Sequence, residues 1–209
     1  MELTWYGLSC FRLVERNQDT IVTDPYNGNI GLPPLKLKAD IVTISHNAEG
    51  HNNLRAVSLY KHALSGPGEY EIGGVFITGI ATALSADSRP NVLYLFDYGN
   101  LTVAHLGDIS RVPSQAQIEA LGMVNILLLP VGGGQSLNAV QATELVSLIE
   151  PNIVVPMHYR IPGLRLDLDG PERFLKEMGL TNVNEESMLK VAAGSLPEET
   201  QVIMLTPKI

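Results

Sequence analysis

Several polar side chains that can bind metal ions follow apolar runs, at the points where predicted strands end. Asp24 follows "TIVT", His46 follows "IVTIS", Asp108 closes "LTVAHLGD" and His158 follows "NIVVPM". Loops at strand ends often carry binding and catalytic residues, because the sheet holds them rigidly. Imidazole and carboxylate groups together suit Zn²⁺, Fe²⁺ or Mn²⁺. The pattern predicts that strand ends converge on one ion, with these candidates: Asp24, His46, His51, His105, Asp108 and His158.

Each of these residues also has a simpler structural interpretation. A single histidine at a strand end is most often a hydrogen-bonded polar residue with no chemistry. Asp108 follows Gly107 and could simply form a turn. The glycines of "VGGG" (131–134) match neither glycine-rich nucleotide motif, which favours a close backbone approach over a phosphate cradle. Ser45 and Cys10 lack the sequence context of a catalytic nucleophile.

The elements that must position these residues change character along the chain. Short apolar or alternating runs predict strands through most of the first half, and periodic apolar residues predict helices over 51–64, 113–122, 137–151 and 170–179. Ser114 and Gln117 have the spacing of a helix capping box. This order predicts an α/β fold of two packed sheets with helices outside. No low-complexity linker divides the chain, so we expect a single domain over residues 1–209.

Composition limits the classes of partner and compartment. The 209 residues carry 14 basic and 22 acidic side chains, a formal net charge of −8. This balance disfavours nucleic acid and anionic membranes as partners, because both are polyanions. A single cysteine, Cys10, excludes an intramolecular disulfide and a thiolate-rich zinc site. With no predicted signal peptide or membrane span, we expect a cytoplasmic protein whose partner is a small-molecule substrate or ligand. The oligomeric state is left open.

The chain resembles the metallo-β-lactamase superfamily, and within it the small hydrolases related to L-ascorbate-6-phosphate lactonase. The resemblance covers nearly the whole chain and is carried by "LTWYGLSCFRL", "TIVTDPY", "DIVTISHNAEGH", "GPGEYEIGGVFITGIAT", "HLGDIS", "LLLPVGGG" and "VVPMHYR". It implies a four-layer αββα sandwich with a metal site at one edge of the two sheets.

The resemblance also implies a degenerate metal motif. The family's ligand run is H-x-H-x-D-H, and here the outer positions are His46 and His51, while Ala48 and Gly50 replace the inner histidine and the aspartate. A further family ligand, a histidine, falls near Leu84, and a family histidine in "G-H-S-C" is Leu8 here. By the same resemblance Asp108 is the metal-bridging carboxylate and His158 the last histidine, whereas His105 and the Asp24-Pro25 pair are supporting residues.

Two functional hypotheses follow from this ligand set. In the first, the dinuclear site is lost and at most one ion, of zinc, iron or manganese, binds at His51, Asp108 and His158, with reduced or absent hydrolysis. If no ion binds, the protein is a binding module descended from an enzyme, and its histidines are hydrogen-bonded in a polar pocket without a catalytic role. In the second, the protein is an active mononuclear hydrolase of a small ester, lactone or phosphoester, in which His46 or His105 orients water or moves protons beside Asp108.

Overall fold

The first sheet carries the amino-terminal part of the site. The computed structural model describes residues 1–82 and 90–209. Within these residues the sheet has six strands, in the spatial order β15 (Leu189–Lys190), β1 (Glu2–Trp5), β2 (Phe11–Val14), β3 (Ile21–Thr23), β5 (Ile41–Thr43) and β7 (His62–Leu64). β3, β5 and β7 run parallel, so β3 and β5 end at the same edge, just before Asp24 and Ser45.

The second sheet carries the rest of the site. Among the described residues it has eight strands, in the order β14 (Asn184–Glu186), β16 (Gln201–Leu205), β13 (Ile153–Met157), β12 (Ile126–Pro130), β11 (Thr102–His105), β10 (Val92–Asp97), β9 (Val75–Ala81) and β8 (Gly68–Ile72). The three central strands β11, β12 and β13 are parallel neighbours. Their carboxyl ends therefore lie side by side and lead into Asp108, the glycine loop and His158.

The two sheets share one apolar core. The core contains residues of both sheets, and the hydroxyl of Tyr94 on β10 donates a hydrogen bond to the Ile44 carbonyl, which follows β5, at 3.3 Å. The strands nearest the site, β3, β5, β12 and β13, are buried on both faces, as their continuous β-branched and leucine runs predict. A separate short parallel pair joins β4 (Leu37–Lys38) to β6 (Val57–Ser58).

The helices of the described residues lie in the second half of the chain. They are α1 (Gln115–Leu121), α2 (Ala139–Ile149) and α3 (Glu172–Glu177). The predicted capping box at Ser114 and Gln117 is confirmed. Helix α2 has a second one, formed by Asn138 and Gln141. None of these helices is long and apolar enough to cross a membrane.

Two helix predictions need correction. The predicted helix over 51–64 is wrong: this segment forms a 3₁₀ turn at Leu54–Ala56, then β6 and β7, and β7 pairs with β5. Long-range strand pairing outweighs the local helical spacing of its apolar residues. In α2 the apolar spacing predicts burial of Val140, Leu145, Leu148 and Ile149 on one side. This is partly wrong, since Leu145 is buried with Ala142 and Val146, but Val140 and Leu148 are exposed.

Candidate metal centre

A buried aspartate organises the part of the site that belongs to the first sheet. Asp24 directly follows β3 and accepts hydrogen bonds from the Ser45 amide and the Ser45 hydroxyl, both at 2.6 Å. The same carboxylate lies 2.9 Å from Nδ1 of His51. Burial raises the pKa of Asp24, but His51, His105 and Ser45 together lower it below its usual value. Asp24 is therefore a stable anion that fixes Ser45 and His51.

Hydrogen-bond accounting assigns the protons on two histidines. A carboxylate only accepts, so Nδ1 of His51 carries the proton and the lone pair of the neutral ring is on Nε2. The one hydroxyl proton of Ser45 is donated to Asp24, so Nδ1 of His46, 3.1 Å from the Ser45 oxygen, is also a donor. In its neutral form each ring then offers Nε2 as a metal ligand. We call Asp24, Ser45, His46 and His51 the Asp24 group.

Asp108 enters the site from the second sheet. It lies on the loop after β11, where its amide donates to the Asn91 side chain at 2.9 Å and the Asn91 amide donates to the Leu106 carbonyl at 3.1 Å. Gly107 has φ of +62°, and a side chain there would collide with Asn91 and Ser45. This tight turn brings one Asp108 oxygen to 4.0 Å from Nε2 of His46.

The other Asp108 oxygen faces His158 and a residue that sequence reasoning missed. Ser136 donates its hydroxyl proton to Asp108, and its oxygen lies 3.1 Å from Nδ1 of His158. His158 is itself 3.7 Å from Asp108. Ser136 lies on the loop between β12 and α2, just after the glycines of "VGGGQS". The sequence did offer one signal, because the glycines directly follow a predicted strand. That signal indicates a functional loop but does not identify the Ser136 hydroxyl.

His105 is placed apart from the cavity described below. Its Nε2 donates to the Ser9 carbonyl at 2.8 Å, and its Nδ1 accepts from the Gly107 amide at 3.3 Å. Burial lowers the pKa of His105, with a partial opposing effect from Asp24. The neutral ring thus joins the first sheet to the Asp108 loop through these two hydrogen bonds. This arrangement favours a supporting role, and the predicted catalytic role of His105 stays a prediction.

The donor atoms present suit one divalent ion. Within the part of the chain that the structure describes, His46, His51 and Asp108 form the group whose ligand atoms all lie within 4.8 Å of one another. Two ligands that are each about 2.0–2.2 Å from one ion can be at most about 4.4 Å apart, so only small side-chain movements are needed. The predicted triad differs, because it contained His158 in place of His46. Here the His158 ring stacks on the His51 ring, with the centroids 5.3 Å apart.

Apolar atoms occupy the positions where the resemblance predicts missing ligands. A Cβ built on Gly50 would lie 3.2 Å from Cδ1 of Leu8, a fully buried side chain. The Leu8 carbonyl also accepts the His158 amide at 3.1 Å, which ties Leu8 to the site. We call Leu8, Ala48 and Gly50 the apolar position. The predicted loss near Leu84 lies outside the described residues.

A cavity of about 460 Å³ opens over these residues. This volume is in the range of small-molecule sites, about 300–1,000 Å³. His51, Asp108 and His158 form part of its floor. The other lining residues come from four loops: Ile30, Ala48, Glu49, Gly50, Gly134, Gln135, Leu166, Asp167 and Leu168.

Comparison with known families and structures agrees with this architecture. The family model described as "Beta-lactamase superfamily domain" matches residues 2–158. A solved Thermotoga maritima structure of the metallo-β-lactamase superfamily is 31% identical, with a TM-score of 0.80 over 98% of this chain and 97% of that one. A metallo hydrolase from Ignicoccus hospitalis is 22% identical, with a TM-score of 0.68 over 99% and 95% of the two chains, and shows the fold alone.

Curated relatives are more distant but nearly full-length. A UPF0173 protein of Pyrococcus furiosus is 29% identical over 85% of this chain and 90% of its own. A protein of Methanosarcina mazei named UPF0173 metal-dependent hydrolase is 25% identical over 84% and 90% of the two chains. The predicted fold class, α/β with paired sheets, is thus confirmed, whereas the closer likeness to ascorbate-phosphate lactonases stays a prediction.

Proposed function

We propose that this chain, which belongs to the beta-lactamase superfamily, is a metal-dependent hydrolase that works with a single divalent ion. The observation that carries the proposal is the convergence of His46, His51 and Asp108 within 4.8 Å, beside a cavity of about 460 Å³. The name of the Methanosarcina relative supports the same class of reaction. The substrate is a small ester, lactone or phosphoester.

The chain's own residues hold and orient the ligands. Asp24 accepts from His51, and Ser45 accepts from His46, so each ring presents Nε2. Partners of this kind fix the tautomer and ring orientation of metal-binding histidines and raise their basicity. Asp108 supplies the negative ligand, and Ser136 holds its second oxygen in place. When bound, the ion supplies a more acidic water and polarises the bond to be cleaved.

His158 completes the site beside His51. The Ser136 hydroxyl proton is given to Asp108, so Nδ1 of His158 is the donor in its contact with Ser136, and the lone pair of a neutral ring is on Nε2. His158 lines the cavity and can either join the ligand set or accept a proton from the attacking water. Its φ of +51°, unusual for a non-glycine residue, indicates that the surroundings dictate its placement.

A second ion is not part of the proposal. A dinuclear centre needs a second set of ligands, and Ala48 and Gly50 supply no donor atoms. The close approach of Leu8 to Gly50 leaves no room for a side chain there without movement. We therefore propose that the dinuclear site is lost and that turnover, where present, depends on one ion.

Metal content tests this proposal directly. Protein purified without a metal-affinity tag is incubated with zinc, iron or manganese, desalted and measured by elemental mass spectrometry. We expect one tightly bound ion per chain, its loss in Asp108→Asn, and ester hydrolysis that follows metal content. Asp97→Asn, which removes an equal charge at the far end of β10, is the control. No metal under any loading condition would overturn the proposal and leave a metal-free binding module.

A further inference from the structure

We infer, on the basis of the proposed function, that the substrate is an uncharged or cationic carboxylic ester or lactone with an apolar part, and that phosphomonoesters are excluded. The inference rests on which side chains line the cavity and on how rigidly its wall is built. In the reaction, the acyl C–O bond breaks and a bond from the carbonyl carbon to the water oxygen forms. One proton of the water goes to the alcohol oxygen that leaves, and the other is released from the new carboxylic acid.

The charges of the cavity are negative. Three carboxylates line it, from Glu49, Asp108 and Asp167, and no lysine or arginine is among the described lining residues. Glu49 contacts the neutral amide of Asn29 at 3.5 Å. Asp108 is buried in the floor, whereas Glu49 and Asp167 are exposed at the rim. A ligand entering the cavity therefore passes two carboxylates before it reaches the third.

This arrangement is unsuitable for a phosphate group. Proteins bind phosphate dianions with charge-assisted hydrogen bonds, most often from arginine or lysine. A bound divalent ion would supply positive charge, but the rim carboxylates would still repel a dianion. Clefts lined by one sign of charge concentrate ligands of the opposite sign. An uncharged ester suffers no such repulsion, and a cationic group on it would be attracted by Glu49 and Asp167.

One wall of the cavity is apolar and preformed. Ile30, Leu166 and Leu168 line it, and Leu166 is 39% exposed, an unusual position for a large apolar side chain. Backbone hydrogen bonds join its loops: Arg165 donates to the Ile30 carbonyl at 2.8 Å, and Asp169 donates to the Gly132 carbonyl at 2.7 Å. A wall held in this way gives an apolar acyl or alcohol group a surface to pack against.

Gly31 explains why this wall is tightly built. Its φ is +97°, and a side chain there would collide with the Gly163 carbonyl and the Arg165 side chain. The 3₁₀ turn at Gly28–Ile30 and the loop at 161–168 can therefore approach closely only because residue 31 is glycine. The apolar wall is thus a fixed part of the fold and does not have to form when a ligand binds.

Binding of three probes that share a benzyl group tests the inference. Benzyltrimethylammonium, benzyl alcohol and benzylphosphonate differ in charge, and each is titrated by calorimetry into zinc-loaded and metal-free protein. We expect the cation and the alcohol to bind, and benzylphosphonate to bind at least roughly tenfold more weakly than the cation in both forms. Benzylphosphonate binding as tightly as the cation to either form would overturn the inference.

Rim variants identify the residues responsible. In Glu49→Gln/Asp167→Asn, which keeps both side-chain shapes, we expect the preference for the cation over the phosphonate to fall roughly tenfold. Glu71→Gln, an exposed carboxylate on β8 away from the cavity, should leave the preference unchanged. An unchanged preference in the rim variant would overturn the assignment of selectivity to these residues.

Turnover separates this inference from the proposed function. The zinc-loaded protein is assayed with p-nitrophenyl butyrate and p-nitrophenyl phosphate. Butyrate cleavage without phosphate cleavage supports both proposals, whereas preferential phosphate cleavage overturns the substrate class alone. A protein that binds no metal and cleaves neither ester, but still prefers the cationic and neutral probes over benzylphosphonate, would contradict the proposed function alone. The cavity would then remain selective for uncharged and cationic ligands.

Discussion

The Asp24 group and the apolar position lie at the same site and differ in how many polar contacts their side chains make. In the Asp24 group every polar side chain has a partner, and Asp24 alone accepts three hydrogen bonds from Ser45 and His51. At the apolar position Gly50 has no side chain, and a Cβ built there would lie 3.2 Å from Cδ1 of Leu8. A polar group at a buried site stays stable only while its partners remain. The contrast shows that the polar side chains of this site form one connected set of hydrogen bonds, next to an apolar neighbour.

Changes at Leu8 and Gly50 should give the largest stability effect. Leu8→Ala removes a fully buried side chain, and we expect it to lower the free energy of unfolding by about 2–5 kcal/mol. Gly50→Asp should also destabilise the native protein, since its Cβ would lie 3.2 Å from Leu8. In the Leu8→Ala background the same change should be at least about 1 kcal/mol less destabilising. Urea denaturation of the four proteins measures this coupling.

Additive effects would contradict this interpretation of the apolar position. They would mean that Leu8 does not occupy the space that a residue-50 side chain needs. Leu13→Ala, a fully buried leucine on β2 in the first sheet, is the matched control for loss of a buried side chain. Its effect and that of Gly50→Asp should simply add, because distant sites are independent.

Asp24→Asn tests whether the Asp24 group supports metal binding. The amide cannot accept all the hydrogen bonds that Asp24 accepts, so His51 loses its fixed tautomer. We expect zinc affinity to fall about 10–100-fold, the usual effect of removing a partner of a metal-binding histidine. The free energy of unfolding should fall by about 2 kcal/mol, typical for hydrogen bonds to a charged group. Competition with a chromophoric chelator measures the affinity.

Asp97→Asn again serves as the control for the loss of one negative charge. It should leave zinc affinity unchanged, because Asp97 accepts from the Gly99 amide in the turn after β10 and is not among the residues that line the cavity. If Asp24→Asn kept the parent's zinc affinity, the Asp24 group would be a structural cluster with no part in metal binding.

His105 joins the two sheets and predicts a pH effect. Because burial lowers its pKa, the native ring stays neutral while the unfolded ring, with a pKa of about 6.5, takes up a proton as the pH falls. Stability from this residue is therefore complete above pH ~6.5 and lost below it, by up to about 1.4 kcal/mol per pH unit. In His105→Gln this dependence should shrink, whereas the exposed His62→Gln should retain it. Urea denaturation between pH 5 and 7.5 measures the free energy of unfolding of each protein. If this free energy changed with pH equally in His105→Gln and in the parent, the interpretation of His105 as a buried neutral residue would be wrong.

The sequence predicts the strand ends of the site well, for a local reason. Asp24, Asp108 and His158 each follow an apolar run, and parallel neighbours must end at the same edge of a sheet. The capping box at Ser114 is equally local, since all its contacts lie within one helical turn. Features that depend on residues close together in the chain can be predicted from the sequence alone.

The remaining features depend on contacts between distant segments. Residues 51–64 have helical spacing, but pairing of β7 with β5 makes the last of them a strand. The approach of Leu8 to Gly50 and the apolar wall of Ile30 and Leu166 join loops far apart in the sequence. The grouping of His46 and His51 with Asp108 is of the same kind, because it joins the loop after β5 to the loop after β11.

Substitution of Ser136 should give the smallest effect, and it directly tests the donor and acceptor roles assigned to its hydroxyl. Its hydroxyl is both the donor to Asp108 and the acceptor from His158, so Ser136→Ala breaks two contacts with little change in volume. We expect about 1 kcal/mol of lost stability and about tenfold weaker zinc binding, because Asp108 is less well held. Ser136→Thr keeps the hydroxyl and should restore most of the affinity, and Ser147→Ala, on the exposed face of α2, is the control. Parent-like zinc affinity in Ser136→Ala would show that Asp108 is held in place without Ser136, and that Ser136 has no part in metal binding.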